Sequence, residues 1–231
     1  MTAGRVAPEA LRAVIQPARK RDAWRDERVA AQYEPRRFAA RFARLKHRRD
    51  VALVLALLRE VPGVEQVLDL PCGTGRILPA LARAGYRAVG ADVALEMMRA
   101  GAKLRETAAP LVQADALALP FPSASFDAVV SLRFLFHLDE DERRRCLAEM
   151  GRVAGGGVVI GEVRYRATFK HLGRWLRSRV GLARRYRPSA GSGAIARELA
   201  AAGLELVRLR PVSRLFSDKA FFLARPVRRG G

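Results

Sequence analysis

The sequence predicts an α/β fold: a three-layer sandwich around a seven-stranded, mostly parallel sheet with an antiparallel last strand. Three observations point there. Seven short apolar runs of strand length lie along the chain, at about residues 67–70, 88–91, 111–114, 126–132, 158–161, 204–209 and 220–224. Helical periodicity separates most of the first five, the pattern of parallel strands joined by crossover helices. The last two follow one another with no helical segment between them, which suits an antiparallel pair.

Taken in order, residues 1–20 hold two prolines, small residues and scattered charge, and read as a tail. A helical pattern begins at Asp22 with Trp24, Val29 and Tyr33, and Pro35 interrupts it. A second helix is expected over 36–59, with Phe38, Phe42, Leu45, Val51, Leu55 and Leu58 along one side. Residues 1–50 thus read as a basic tail with capping helices, and 51–231 as the main domain.

The first strand gives way at Leu70 to the turn Pro71-Cys72-Gly73-Thr74-Gly75-Arg76, and a helix opens at Ile77. Ala88-Val89-Gly90-Ala91 is the second strand and ends in Asp92. A helix is expected over 94–103, with Leu95, Met97, Met98 and the adjacent Leu104 available for packing. Asp115 and Ala116 follow the third strand, and Pro120 and Pro122 bracket a loop. The fourth strand runs into Ser131-Leu132-Arg133-Phe134-Leu135-Phe136-His137-Leu138. A charged helix over 139–153 carries Cys146, Leu147 and Met150 on its buried stripe, and three glycines end it.

Between the fifth strand and a helix expected at 194–202, residues 164–191 are too long for a plain connection. Phe169, Leu172, Leu176 and Val180 fall there at helical spacing beside Trp175, among many arginines. A basic amphipathic insert of this kind lids a site or, over 164–187, lies on an anionic membrane surface. A helix packed on the sheet edge with solvated arginines fits the same residues.

Charge is unevenly distributed. The net charge of +20 divides into +8 for residues 1–50, −2 for 51–162 and +14 for 163–231. Basic flanks suit an anionic partner, and the excess of arginine over lysine equally suits a compositional bias. Two cysteines and three histidines give neither a disulfide framework nor a zinc spacing, so no metal is expected. The first 25 residues lack an apolar core for a signal peptide, and the longest apolar run, 51–58, is too short to span a bilayer. A cytoplasmic protein, peripheral at most to the inner membrane surface, is the expectation.

The chemistry concentrates at the glycine turn. Without a Cβ, Gly73 and Gly75 can take positive φ and let a ligand lie against the backbone. Amides opening the next helix would face an electron-rich group. Asp92, about 20 residues on, stands where dinucleotide-type folds place a carboxylate for ribose hydroxyls. Ligands of open parallel sheets bind outside the carboxyl ends of the strands, at the topological switch point, so a substrate is expected beyond the fourth strand. His137 is the nearby group able to accept a proton near neutral pH. It equally suits a cap for the helix that follows.

Together, VLDLPCGTGR, VGADVALEMM, Gln113-Ala114-Asp115-Ala116 and FPSASFDAVVSL resemble the class I methyltransferases that use S-adenosylmethionine (SAM). The resemblance covers about residues 55–163, in the family's order and spacing. A nicotinamide enzyme would want G-x-G-x-x-G, and Leu78 stands where its third glycine belongs. The resemblance implies a Rossmann-like sandwich, SAM as cofactor and S-adenosylhomocysteine (SAH) as product. It implies a cofactor site of Asp69, Pro71, Cys72, Gly73, Gly75, Arg76, Asp92, Val93, Met97, Asp115, Ala116 and Ser131.

Within that set, Asp69 would hold the ammonium of the methionine moiety and Met97 would pack on the adenine. Asp115 and Ala116 would bond its amino group. Cys72 reads as a small buried residue rather than a nucleophile. N-terminal helices fold over the cofactor in this family, which makes Tyr33 a candidate to cover the sulfonium and Arg37 a carboxylate or substrate contact; packing within the helix is the other reading of Tyr33. His137 and Tyr33 are the catalytic candidates, and Arg37, Arg133, Phe136 and Trp175 the substrate candidates. The Asn/Asp-Pro-Pro-Tyr motif of enzymes that methylate nucleobase amines is absent after the fourth strand. The expected reaction is methyl transfer to an oxygen or nitrogen of a small-molecule or lipid-linked acceptor. RNA methylation through the basic flanks, and a non-catalytic SAM-binding role at a membrane surface, are the alternatives.

Overall fold

The computed structural model describes residues 41–102, 109–165, 190–213, 217 and 219–227. Tyr33, Arg37, Trp175 and the amphipathic stretch around Phe169 lie outside the described residues. Helix α1 (Arg41–Arg59) leads into β1 (Gln66–Asp69), α2 (Leu78–Arg83) and β2 (Arg87–Asp92). Then come α3 (Leu95–Ala102), β3 (Leu111–Gln113), β4 (Ala128–Ser131) and a 3-10 turn at Leu135–His137. Helix α4 (Glu140–Ala154), β5 (Val158–Arg164), α5 (Ser192–Ala201), β6 (Leu204–Pro211) and β7 (Lys219–Pro226) complete the chain.

The seven strands form one sheet in the order β3-β2-β1-β4-β5-β7-β6. Strands β1 to β5 pair in parallel, and β7 runs antiparallel to both β5 and β6. This is the expected sandwich with its reversed last strand. Order reverses between β1 and β4, so the crevice beyond their carboxyl ends is the switch point.

Both faces of the sheet are covered, which is why its strands read as nearly continuous apolar runs. Period-two alternation divides them between two cores. Leu68, Val129 and Val159 pack with α4 and α5 on one face, through Leu147, Met150, Ile195 and Leu199. Val67, Ala128, Val130, Val158 and Ile160 pack on the other with α1 and α2, through Val54, Leu57, Leu58 and Leu81.

Helix α1 departs from the expected stripe. Leu45 is 65% exposed, whereas Asp50, five residues on, is fully buried. The inward face of α1 runs through His47, Asp50, Val54 and Leu57, spaced three or four apart, with Leu58 four beyond Val54. Its polar members are buried because Arg133 and the crevice lie opposite them. Among the described residues no helix is long and apolar enough to cross a membrane.

Candidate functional site

The segment after β1 stays bonded to both neighbouring strands, β4 and β2. Leu70 N–H donates to Val130 O at 2.9 Å, and Cys72 N–H to Ala91 O at 2.8 Å. Gly75 N–H then closes a turn onto Cys72 O at 2.9 Å. Gly73 (φ 56) and Gly75 (φ 69) both occupy the left-handed region that favours glycine. Helix α3 presses on this loop through Gly101, where a Cβ would lie 2.0 Å from Thr74 O. That closeness admits only glycine.

Asp92, at the end of β2, fastens the loop. Its Oδ2 accepts from Gly73 N–H at 2.7 Å and its Oδ1 from Ala94 N–H at 2.8 Å. Burial raises the Asp92 pKa, and those amides partly offset the rise. Asp69, at the end of β1, is 3% exposed, and among the described residues no hydrogen bond or ion pair to its carboxylate is found. Burial first, and Asp92 second, hold its pKa well above the usual carboxylate range. Ionising it there needs a compensating positive charge.

These groups line a cavity of about 220 Å³ at the carboxyl ends of β1, β2, β3 and β4. Of the residues assigned to a cofactor from the sequence, Asp69, Pro71, Cys72, Gly73, Arg76, Asp92, Val93, Met97, Asp115 and Ala116 line it. Gly75 does not: it is buried within the turn and shapes the loop instead. Ser131 does not either, being fully enclosed in the last position of β4. Among the substrate and catalytic candidates, Arg133 and His137 line the cavity.

Phe136 is not among the residues that line it. Its ring lies under two cations, with Lys219 Nζ 4.8 Å and Arg164 Cζ 5.1 Å from the centroid. It also leans on His137, ring centroids 4.6 Å apart. Lys219 pairs with Glu162, a fully buried carboxylate that also accepts from Arg133 N–H at 3.0 Å. The strand ends β5 and β7 therefore hold the turn that presents His137.

His137 is not the helix cap. Asp139 caps α4, accepting from Glu142 N–H at 2.8 Å, and Glu142 reaches back to Asp139 N–H at 3.3 Å. The Asp-x-x-Glu spacing of that capping box was present in the sequence. Asp115 is itself engaged, its Oδ1 accepting from Leu117 N–H at 3.0 Å.

Four polar or charged contributors escaped the sequence reading: His47, Asp50, Thr74 and Glu142. His47 lines the cavity from α1. Burial, then Arg76, then Arg133 push its pKa down to about 4, so it stands neutral at physiological pH. Asp50 is fully buried and accepts from Arg133 Nη2 at 2.7 Å. Polarity concealed both from an apolar-periodicity search. Arg133 itself has φ 58, a left-handed conformation uncommon outside glycine.

The arrangement fits SAM: a positive-φ loop for close backbone approach, a fixed carboxylate for a ribose, and an uncompensated buried carboxylate for an ammonium. Among the described residues no group of His, Cys, Asp and Glu is disposed to hold a metal.

Comparison with known proteins agrees. Residues 67–157 match a methyltransferase domain family. Demethylmenaquinone methyltransferase of Renibacterium salmoninarum is 39% identical over 117 residues, 50% of this chain and 48% of that protein. Its counterpart from Thermobifida fusca is 37% identical over 161 residues, 60% of this chain and 64% of that protein. The chain thus spans about half to just under two thirds of the length of these curated relatives.

In fold, it is similar to the magnesium protoporphyrin IX methyltransferase of Synechocystis PCC 6803 with bound SAH, at a TM-score of 0.65 and 20% identity, covering 90% of this chain and 98% of that one. The cyclase SpnF is also similar, at a TM-score of 0.58 and 20% identity over 76% of this chain and 81% of that one. The fold therefore serves more than one chemistry, and residues must decide the activity. By sequence match, residues 67–157 are thus a methyltransferase domain, set in a fold shared with SAM-dependent methyltransferases.

Proposed function

We propose that this chain transfers a methyl group from SAM to an oxygen or nitrogen of a small-molecule or lipid-linked acceptor. One observation carries the reading. Asp69 is buried with no partner to its carboxylate among the described residues, in the same cavity as the positive-φ loop and Asp92. A cationic ligand there offsets the cost of burying that carboxylate ionised. Bound SAM supplies a methyl already activated by its sulfonium.

The residues of this chain then bind, orient and exclude water. Asp69 receives the ammonium of the methionine moiety. Asp92, immobilised by two backbone amides, keeps lone pairs for the ribose hydroxyls. Met97, Ala116 and Leu117 offer an apolar flank for the adenine. Beyond them, Leu132, Phe134 and Leu138 wall the acceptor end against water. His137, exposed at that end, is placed to take the acceptor's proton as the methyl moves. The small-molecule character of the acceptor is supported by the curated relatives, whose names specify demethylmenaquinone.

Titration calorimetry of SAM and SAH into the full chain tests the reading. Saturable binding that Asp69→Asn weakens at least tenfold, about 1.4 kcal/mol, is the expected result. Equal binding by wild type and Asp69→Asn would remove the observation on which the reading rests.

A further inference from the structure

One wall of the cavity comes from a single short segment. Leu132, Arg133, Phe134, His137 and Leu138 all line it, and all lie between β4 and α4. Leu132 packs against the core beneath α1 and α2, whereas Phe134 and Leu135 join the core beneath α4 and α5. The crossing from one face of the sheet to the other falls at Arg133, where φ is 58. A residue other than glycine persists in that region only where its surroundings hold it there.

What holds it stands at the end of β5. Glu162 is fully buried and is not among the residues that line the cavity. Its two oxygens have separate tasks: Oε2 accepts from Arg133 N–H at 3.0 Å, and Oε1 pairs with Lys219 of β7. Burying a carboxylate is costly unless an opposite charge compensates it, and Lys219 supplies that charge. The preceding residue, Gly161, makes room for the turn, since a Cβ there would lie 2.9 Å from Leu135 Cδ1. Successive positions of β5 thus fix residues 133 and 135 of the segment that carries His137.

We propose that Glu162 is the positioning residue of this wall. By holding the Arg133 amide it sets where Phe134 and His137 stand against the acceptor, without touching acceptor or cofactor. Reactions that depend on aligning one acceptor atom with a methyl group are sensitive to such supporting contacts. This inference deepens the methyl-transfer reading and rests on it for the acceptor.

The test compares two double variants of the full chain, Glu162→Gln/Lys219→Met and Glu162→Leu/Lys219→Met. Both lose the ion pair at similar side-chain volume, so they differ in whether an oxygen meets Arg133 N–H. Calorimetry reads SAH affinity. Proton–carbon correlation spectra read the imidazole Cε1–H of His137, identified by its loss in His137→Gln. The third readout is the rate at which methyl-labelled SAM labels the organic fraction of host extract.

The glutamine variant should leave the His137 resonance in place and keep SAH affinity and labelling rate within about twofold of wild type. The leucine variant should keep SAH affinity within about twofold, move the His137 resonance and lower the labelling rate about tenfold or more. Should the leucine variant not fold, Glu162→Asp carries the measurement with the same shifts expected. It keeps a charge for Lys219 and withdraws the oxygen from Arg133 N–H by one methylene.

An unmoved His137 resonance with undiminished labelling in the leucine or aspartate variant overturns the proposal. Equal loss in the glutamine and leucine variants also overturns it, since the ion pair and not the Arg133 contact would then be responsible. Failure of wild type to label any fraction while SAH binds is a separate outcome. It overturns the methyl-transfer reading, and the His137 resonance then decides the positioning by itself.

Discussion

Arg133 donates from Nη2 to Asp50 Oδ2 at 2.7 Å, and this contact joins the turn after β4 to helix α1 across 83 positions of sequence. It makes α1 a wall of the cavity, because His47 stands one turn before Asp50 on the same helix face. Both partners are largely enclosed, the Asp50 side chain 1% and the Arg133 side chain 19% exposed. Breaking such a pair from one side strands a buried charge. Arg133→Ala should therefore cost about 3–5 kcal/mol in urea unfolding, and Asp50→Asn/Arg133→Gln clearly less. Equal losses in the single and double variants would mean that the pairing adds nothing to the fold.

Asp69 should oppose stability and favour binding. Its folded pKa is raised by burial, so above the ordinary value of 3.8 the unfolded chain ionises first. Stability of the unliganded protein then falls as pH rises from that value toward the folded pKa. Asp69→Asn removes the penalty. Thermal melts should place the unliganded variant above wild type at pH 7 and level with it near pH 3. A variant less stable than wild type at pH 7 would show that Asp69 is already compensated without ligand.

His47 carries the opposite sign. Its pKa falls from 6.5 to about 4 on folding. As pH drops below 6.5 the unfolded chain takes up a proton that the folded chain refuses, so stability is lost between pH 6.5 and 4. Solvent at this half-buried ring moderates the effect, and His47→Gln should recover about 1–2 kcal/mol at pH 4.5 relative to pH 7. The same acid loss in variant and wild type would rule His47 out as its source.

Much of this was legible in the sequence, and the misses share a cause. The strands, the glycine loop and Asp92 were readable because short-range pattern specifies them: apolar runs, glycine punctuation and a carboxylate at a strand end. The closing antiparallel pair was readable for the same reason. The cavity face of α1 was not. An apolar stripe through Leu45 was the natural reading, yet Leu45 is 65% exposed while Asp50 is fully buried. What buries Asp50 is a cation arriving from far along the chain, and local periodicity carries no trace of it. Phe136, a substrate candidate from the sequence, carries Lys219 and Arg164 over its ring, two cations brought there by distant strands. The role of Gly101 was hidden too, because a helix-interior glycine gives no sign of the loop pressed against it.

That glycine supplies a further prediction. A Cβ at position 101 would lie 2.0 Å from Thr74 O, a backbone atom that must shift. Gly101→Ala should destabilise the fold by about 1–3 kcal/mol and weaken SAM binding through the displaced loop. Asp92→Ala should act on the same loop by releasing Gly73 N–H, at about 1.5–3 kcal/mol of cofactor affinity. Calorimetry on both variants reads the effect directly, and unchanged affinity in both would detach the loop from the cofactor.

The most direct test of the central claim is methyl transfer itself. The full chain would be incubated with methyl-labelled SAM and host extract, and the extract then separated into RNA, protein and organic or small-molecule fractions. Wild type should label the organic or small-molecule fraction, and Asp92→Ala should lower that label in step with its cofactor affinity. Label confined to RNA would contradict the acceptor, and no label in any fraction, with SAM binding intact, would contradict catalysis.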